Sequence, residues 1–199
     1  QTLFIRQRQV KARWTVLLNN QRLGNLLNID SKLVHSITVP PGKMKAGLNT
    51  ISIVAPKTTD DIEVGPITLT AQPESEIFSA SLNVNVTDKQ TGRPTPSRIT
   101  IVDAYGALAA LRPLPEQRLA HRPGVVYTGG DLARLQLLPG QYTVYASRGF
   151  EYSVAKTTVT VRAGTPSNVL LTLTREVPTP GLVATDTHIH TLTRSGHGD

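Results

Sequence analysis

Ser79-Ala80-Ser81-Leu82-Asn83-Val84-Asn85-Val86 places Leu82, Val84 and Val86 on one face of an extended chain. Successive Cβ atoms of a strand point to opposite sides, so a period of two predicts a half-buried strand. Breakers follow in Thr87-Asp88-Lys89-Gln90-Thr91-Gly92-Arg93-Pro94, and Arg98-Ile99-Thr100-Ile101-Val102-Asp103 resumes the alternation. Strand, turn and strand at this short interval predict a β-sandwich. Downstream the pattern repeats. Gly124–Gly130 is a short extended piece, Leu137-Leu138-Pro139-Gly140 a turn, and Gln141–Ala146 a strand with its aromatics on one face. Tyr152–Val161 and Val169–Leu173 are the last two strands. Leu108–Gln117 has room for one helical turn, cut short by Pro113 and Pro115.

Upstream, residues 1–72 also read as strands and turns. Ala12–Leu18, Leu33–Val39, Thr50-Ile51-Ser52-Ile53-Val54 and Ile62–Thr70 are the strands, with Leu23–Leu27 as a shorter extended piece. Asn19-Asn20-Gln21 and Pro40-Pro41-Gly42 interrupt them, and Gly65-Pro66 marks a bulge. Arg6, Arg8, Lys11 and Arg13 are expected on the solvated face of a strand, where charge discourages edge pairing. Ala71-Gln72-Pro73-Glu74-Ser75-Glu76 is the expected linker between the two units. The expected fold class is therefore all-β. Two antiparallel β-sandwich modules, 1–72 and 73–177, precede a segment 178–199 that opens on the stiff Val177-Pro178-Thr179-Pro180.

Composition narrows the function classes. The chain has 199 residues, 39% of them hydrophobic, and contains no cysteine, so disulfide and thiol chemistry do not apply. No apolar run of about 18 residues exists, so no membrane-spanning helix is expected. The start at Gln1 lacks a signal-peptide pattern and is expected to be processed or truncated. Net charge is +7, but the basic residues are scattered and no stacking aromatics interleave with them, so nucleic acid is not an expected partner. Trp14 could stack on a sugar, but inside a strand it reads as core. Asp60, Asp61 and Glu63 lack a calcium-loop spacing. His35 and His121 have no partner nearby in sequence and read as a strand residue and a loop residue.

The chemistry is concentrated in Asp186-Thr187-His188-Ile189-His190-Thr191, followed by Ser195-Gly196-His197-Gly198-Asp199. In an extended strand Asp186, His188 and His190 share one side, an acid and two imidazoles suited to a transition metal. A His-x-His triplet also arises by chance at exposed strand ends.

Three resemblances add to this reading. Leu18-Asn19-Asn20, Leu23-Gly24, and Val39-Pro40-Pro41-Gly42 through Gly47-Leu48-Asn49-Thr50-Ile51-Ser52-Ile53 resemble the last part of a galactose-binding-like jelly roll. Such rolls have about eight strands, so this likeness implies a partial domain, and the family often binds sugars through its loops. Val86–Pro94, Ile99–Asp103 and Leu138-Pro139-Gly140-Gln141-Tyr142-Thr143-Val144 resemble the carboxypeptidase-regulatory-like domain. That likeness implies a transthyretin-like sandwich serving as an accessory module. The terminal stretch resembles the first metal motif of the PHP (polymerase and histidinol phosphatase) superfamily. This implies His188 and His190 as metal ligands at the end of the first strand of a (β/α) barrel, with Asp199 matching a later acidic ligand. The implied cofactor is a divalent transition metal (Zn, Mn or Fe) in the intact enzyme, with none bound tightly by these residues alone. The leading expectation is thus a non-catalytic accessory region of a PHP-like metal-dependent hydrolase, a phosphoesterase, inactive by itself and exported to the periplasm or beyond the cell. The alternative is a stand-alone adhesion module that binds carbohydrate, a protein partner or a surface.

Overall fold

The computed structural model describes residues 1–56, 61–117, 119–183 and 185. The front unit is built from β1 (Thr2–Arg8), β2 (Thr15–Leu18), β3 (Gln21–Asn25), β4 (Leu33–Thr38), β5 (Ile51–Val54) and β6 (Glu63–Thr70). These form two three-stranded sheets, β4-β1-β6 and β3-β2-β5, with antiparallel pairing throughout. Leu3 and Ile5 of β1, Val16 and Leu18 of β2 and Ile37 of β4 meet in one buried cluster, so the sheets face each other as a sandwich. Trp14 packs partly buried against the same cluster, as core. Asn19 and Asn20 take positive φ values of 52° and 63° and join β2 to β3 as a tight hairpin. The expected bulge is at Gly65-Pro66. Ile5 faces Ile67 but Gln7 faces Val64, so β6 carries one extra residue there.

One expectation for β1 is corrected. Arg6 does not lie on a solvated edge, because β1 is the central strand of its sheet. Leu3, Ile5 and Gln7 are buried on one side. Gln7 is satisfied there by Leu27, whose backbone oxygen accepts from Nε2 at 2.6 Å and whose N–H donates to Oε1 at 3.0 Å. Phe4 and Arg6 therefore project from the opposite pleat, toward the second unit.

The second unit contains β7 (Ala80–Asp88), β8 (Ser97–Asp103), β9 (Leu111–Pro113), β10 (Ala120–Arg122), β11 (Val125–Thr128), β12 (Ala133–Leu137), β13 (Gly140–Ser147), β14 (Ala155–Val161) and β15 (Ser167–Leu173). A five-stranded sheet, β10-β11-β8-β13-β14, covers a four-stranded one, β15-β7-β12-β9. Ala80, Leu82, Val84 and Val86 of β7 turn inward onto Ile99, Ile101, Leu135 and Val144. The turn after β7 is fixed by Asp88, whose Oδ1 accepts from Thr91 N at 2.8 Å, while Gly92 takes φ +65°. All-β architecture is thus observed. β15 runs parallel to β7, unlike the other paired strands, and Asn83 Nδ2 donates to Asn168 Oδ1 across that pair at 2.9 Å.

Three further expectations differ. The stretch 108–117 holds no helix; β9 pairs with β12 there, satisfying its backbone across the sheet. Tyr142 and Tyr145 are three residues apart, an odd spacing, so Tyr142 is buried and Tyr145 lies on the other face. The segment 71–76 is not a free linker. Glu74–Ile77 forms a single helical turn, α1, whose Ile77 is buried and whose Glu74 bonds across to the second unit.

Candidate functional site at the junction of the sandwiches

The two sandwiches share backbone hydrogen bonds. Leu33 of β4 and Leu108 form a parallel bridge. Val34 N donates to Leu108 O at 3.0 Å, and Leu108 N donates to Lys32 O at 2.8 Å. One charged pair lies at each side of this short ladder. Arg6 Nη2 donates to Asp103 Oδ2, and the Arg6 guanidinium sits 4.9 Å from the centre of the Tyr105 ring. Arg112 Nη2 donates to Glu74 Oε2, with its guanidinium 4.7 Å from the centre of Phe78. Lys32 Nζ donates to Tyr105 O at 3.0 Å, a further tie between the units.

Both carboxylates are held in place from several directions. Asp103 Oδ1 accepts from Tyr105 N at 2.9 Å and Ala107 N at 3.0 Å, a local turn closed by Gly106 at φ +72°. Burial pushes the Asp103 carboxyl up, but the Arg6 bond, these two N–H groups and the Arg6 charge hold it below its ordinary value. Glu74 behaves alike. Burial raises it, and bonds from Ser36, Arg112 and Thr38 together with the Arg112 charge outweigh that effect. A general base works best with a pKa near the working pH. These carboxyls are displaced the other way, so they serve as fixed anions that clamp the junction.

A cleft opens on each side of the ladder, and Val34 and Ala110 line both. The first, about 320 Å³, is walled by Phe4, Pro66, Tyr105 and Pro139 around the Arg6–Asp103 pair. Arg6 Nη1 is buried beside it without a hydrogen-bond partner among the described residues. Tyr142 at its base donates to Leu138 O at 2.9 Å; burial first, then the Asp103 charge, pushes its hydroxyl up to about 12. The second cleft, about 440 Å³, is bordered by His35, Arg112, His121 and Arg122. His35 Nε2 lies 3.2 Å from Asn25 O, which fixes that nitrogen as the donor. Burial lowers the pKa of His35, with the Asn25 bond and the Glu74 charge opposing, so the ring is neutral at pH 7.

The structure places His35 of β4 and His121, which lies on β10 rather than in a loop, on the border of one cleft. Glu74 is the carboxylate whose charge reaches His35, and no Asp or Glu is among the described residues that border the cleft. Among the described residues no three His, Asp or Glu side chains gather to hold a metal ion. His188, His190 and Asp199, with Asp186 and His197, lie outside the described residues. So does Asp60, while Glu63 pairs with Arg8 at 3.4 Å on the surface. Of the junction residues, the sequence pattern puts Arg6 on a solvated strand face and Glu74 in a linker, and it marks neither these nor Asp103 and Arg112 as a site. One signal was present: Asp103 followed three residues later by Gly106 is a turn signature at a strand end.

No protein-family model matches the chain. No curated protein matches it either. Among solved structures it is similar to the minor pilin GBS52 of Streptococcus agalactiae, at 13% identity and a TM-score of 0.40, covering 92% of this chain and 86% of that one. It is also similar to the shaft pilin SpaA of Lactobacillus rhamnosus GG, at 11% identity and a TM-score of 0.35, covering 90% and 87%. The major pilin subunit BcpA of Bacillus cereus follows at 7% identity and 0.36, covering 88% of this chain and 60% of that one. Likenesses this slight carry no argument about function.

Proposed function

We propose that the two sandwiches act as a single rigid, non-catalytic binding and positioning unit. The observation that carries this reading is the junction. A backbone ladder and two partly buried ion pairs tie elements far apart in sequence, and two clefts open beside them. Flexible tethers between modules make few such contacts. Its ligand is a protein or carbohydrate surface, and its expected place is outside the cytoplasm. No helix of the described residues is long and apolar enough to cross a membrane.

A second reading rests on the resemblance of the terminal stretch, Asp186 to Asp199, to the first metal motif of the PHP superfamily. In it the unit stands in front of a PHP-like hydrolase barrel. His188 and His190, with Asp199, would contribute to a divalent metal site there, and the metal would activate water for attack on a phosphorus or carbonyl centre. The rigid unit would then set the distance between a bound surface and the catalytic barrel.

Incubating the 199-residue chain with Zn²⁺ or Mn²⁺ and bis-p-nitrophenyl phosphate or p-nitrophenyl acetate tests the first reading. No metal-dependent turnover above buffer is expected. Turnover that vanishes in a His188→Ala, His190→Ala variant would overturn it.

A further inference from the structure

The second cleft is bordered by strand edges. β4, β9 and β10 are each the last strand of their sheet, and all three reach it. Its border takes consecutive residues from each: Val34, His35 and Ser36 of β4, Leu111 and Arg112 of β9 with Ala110 just before them, and His121 and Arg122 of β10. Odd and even positions of a strand point to opposite faces, so a cavity touching both looks onto the strand's edge.

On β4 the direction of the free edge is fixed. Val34 N–H points away from β1, since it donates to Leu108 O. Alternate residues of a strand direct their N–H groups to the same side, so Ser36 N–H points outward as well. The paired backbones of β4 and 108 run parallel at Leu33 and part beyond it, which leaves the cleft between them. An outward row of unpaired N–H and C=O groups is a template for another strand.

The charge of the border selects the strand. Its charged residues are Arg112 and Arg122, and the Glu74 carboxylate lies behind it, bonded to Arg112, Ser36 and Thr38. Arg112 is already matched by Glu74, whereas Arg122 is exposed and makes no ion pair among the described residues. The net charge of +7 adds a general attraction for anions.

We propose that this cleft takes an acidic, extended peptide segment of a partner protein, which adds as a strand to the outer edge of β4 and turns its carboxylates toward Arg122. Backbone bonds would supply affinity and the cationic border specificity. The proposal rests on the reading of the chain as a binding unit and supplies its partner chemistry.

The test uses the full chain and two fluorescent peptides, Ac-EVEVE-NH2 and Ac-KVKVK-NH2, with amide NMR shifts as a second readout. The acidic peptide should bind, shift residues 34–36 and 110–112, and outcompete the basic one. Arg122→Glu should weaken it several-fold and flatten its salt dependence, as reversal of an exposed rim charge does. The control Arg93→Glu, an exposed position on the turn after β7, should leave binding unchanged. Ser36→Pro removes the outward N–H on an edge strand, where proline is tolerated. It should weaken binding well beyond Ser36→Ala, which removes only the hydroxyl that bonds Glu74. Four results would each overturn the proposal: no binding at millimolar peptide, equal binding of the basic peptide, equal behaviour of the two Ser36 variants, or inorganic phosphate reproducing the same shifts. None of them touches the rigidity of the unit, which rotational diffusion measures separately.

Discussion

Arg6 carries two roles that its neighbours in sequence conceal. Its strand buries Leu3, Ile5 and Gln7 on one side, and the guanidinium leaves from the other to meet Asp103, 97 residues away. Removing Asp103 leaves a partly buried guanidinium unpaired and frees Tyr105 N and Ala107 N. Asp103→Ala should therefore cost about 1–3 kcal/mol in urea unfolding, the usual penalty for unmaking a bond to a charged group. A double-mutant cycle with Arg6→Ala should return a coupling well above zero; additive losses would show that the pair contributes nothing. The pH dependence follows from the same residues. Asp103 and Glu74 have lowered pKa values in the folded state. The stability they contribute is fully present above the ordinary carboxyl range, about pH 4–5, and fades as pH falls through their lowered values. His35 acts in the same direction at higher pH. Its folded pKa is lowered, so stability declines as pH drops below about 6.5, because the unfolded ring takes up a proton more readily. Acid titration followed by tryptophan and NMR signals should show the two steps.

At the scale of elements, alternation carries most of the fold. β7, β8, β14 and β15 were legible because small turns isolate them and one face is apolar. β13 was legible as a strand, but its tyrosines were placed on one face although three residues separate them. β12 was not read. Its five residues end against the Leu137-Leu138-Pro139-Gly140 turn and offer little period to count. The segment 71–76 looked like a linker because its residues are polar and include a proline. Polarity does not distinguish a solvated carboxylate from one that clamps another module, as Glu74 does. Two substitutions test the packing. Leu135 is buried at 1% exposure within the second core, and Leu135→Ala should cost about 2–5 kcal/mol by calorimetry. Gly124 combines φ +66° with a close approach: a Cβ there would lie 2.6 Å from Leu108 Cβ and 2.9 Å from Ala109 N. Gly124→Ala must shift the 108–109 backbone, which carries the inter-module ladder. It should destabilise the protein and loosen the junction, seen as faster amide exchange at Val34 and Leu108. Unchanged exchange there would contradict that coupling.

For the whole molecule, sequence periodicity defines two β units but is silent on how they meet. The junction is made of isolated side chains, Arg6, Lys32, Glu74, Asp103 and Arg112, contributed by five separate segments, and no local pattern links them. The metal-motif residues His188, His190 and Asp199 remain a sequence-level proposal, since they lie outside the described residues. In the proposed function the front and rear sandwiches tumble as one body. Backbone ¹⁵N relaxation on the full chain measures this directly. A single rotational diffusion tensor should fit the strands of both units, and Arg6→Ala combined with Glu74→Ala should split it into two. Two independent tensors in the unmodified protein would contradict the account.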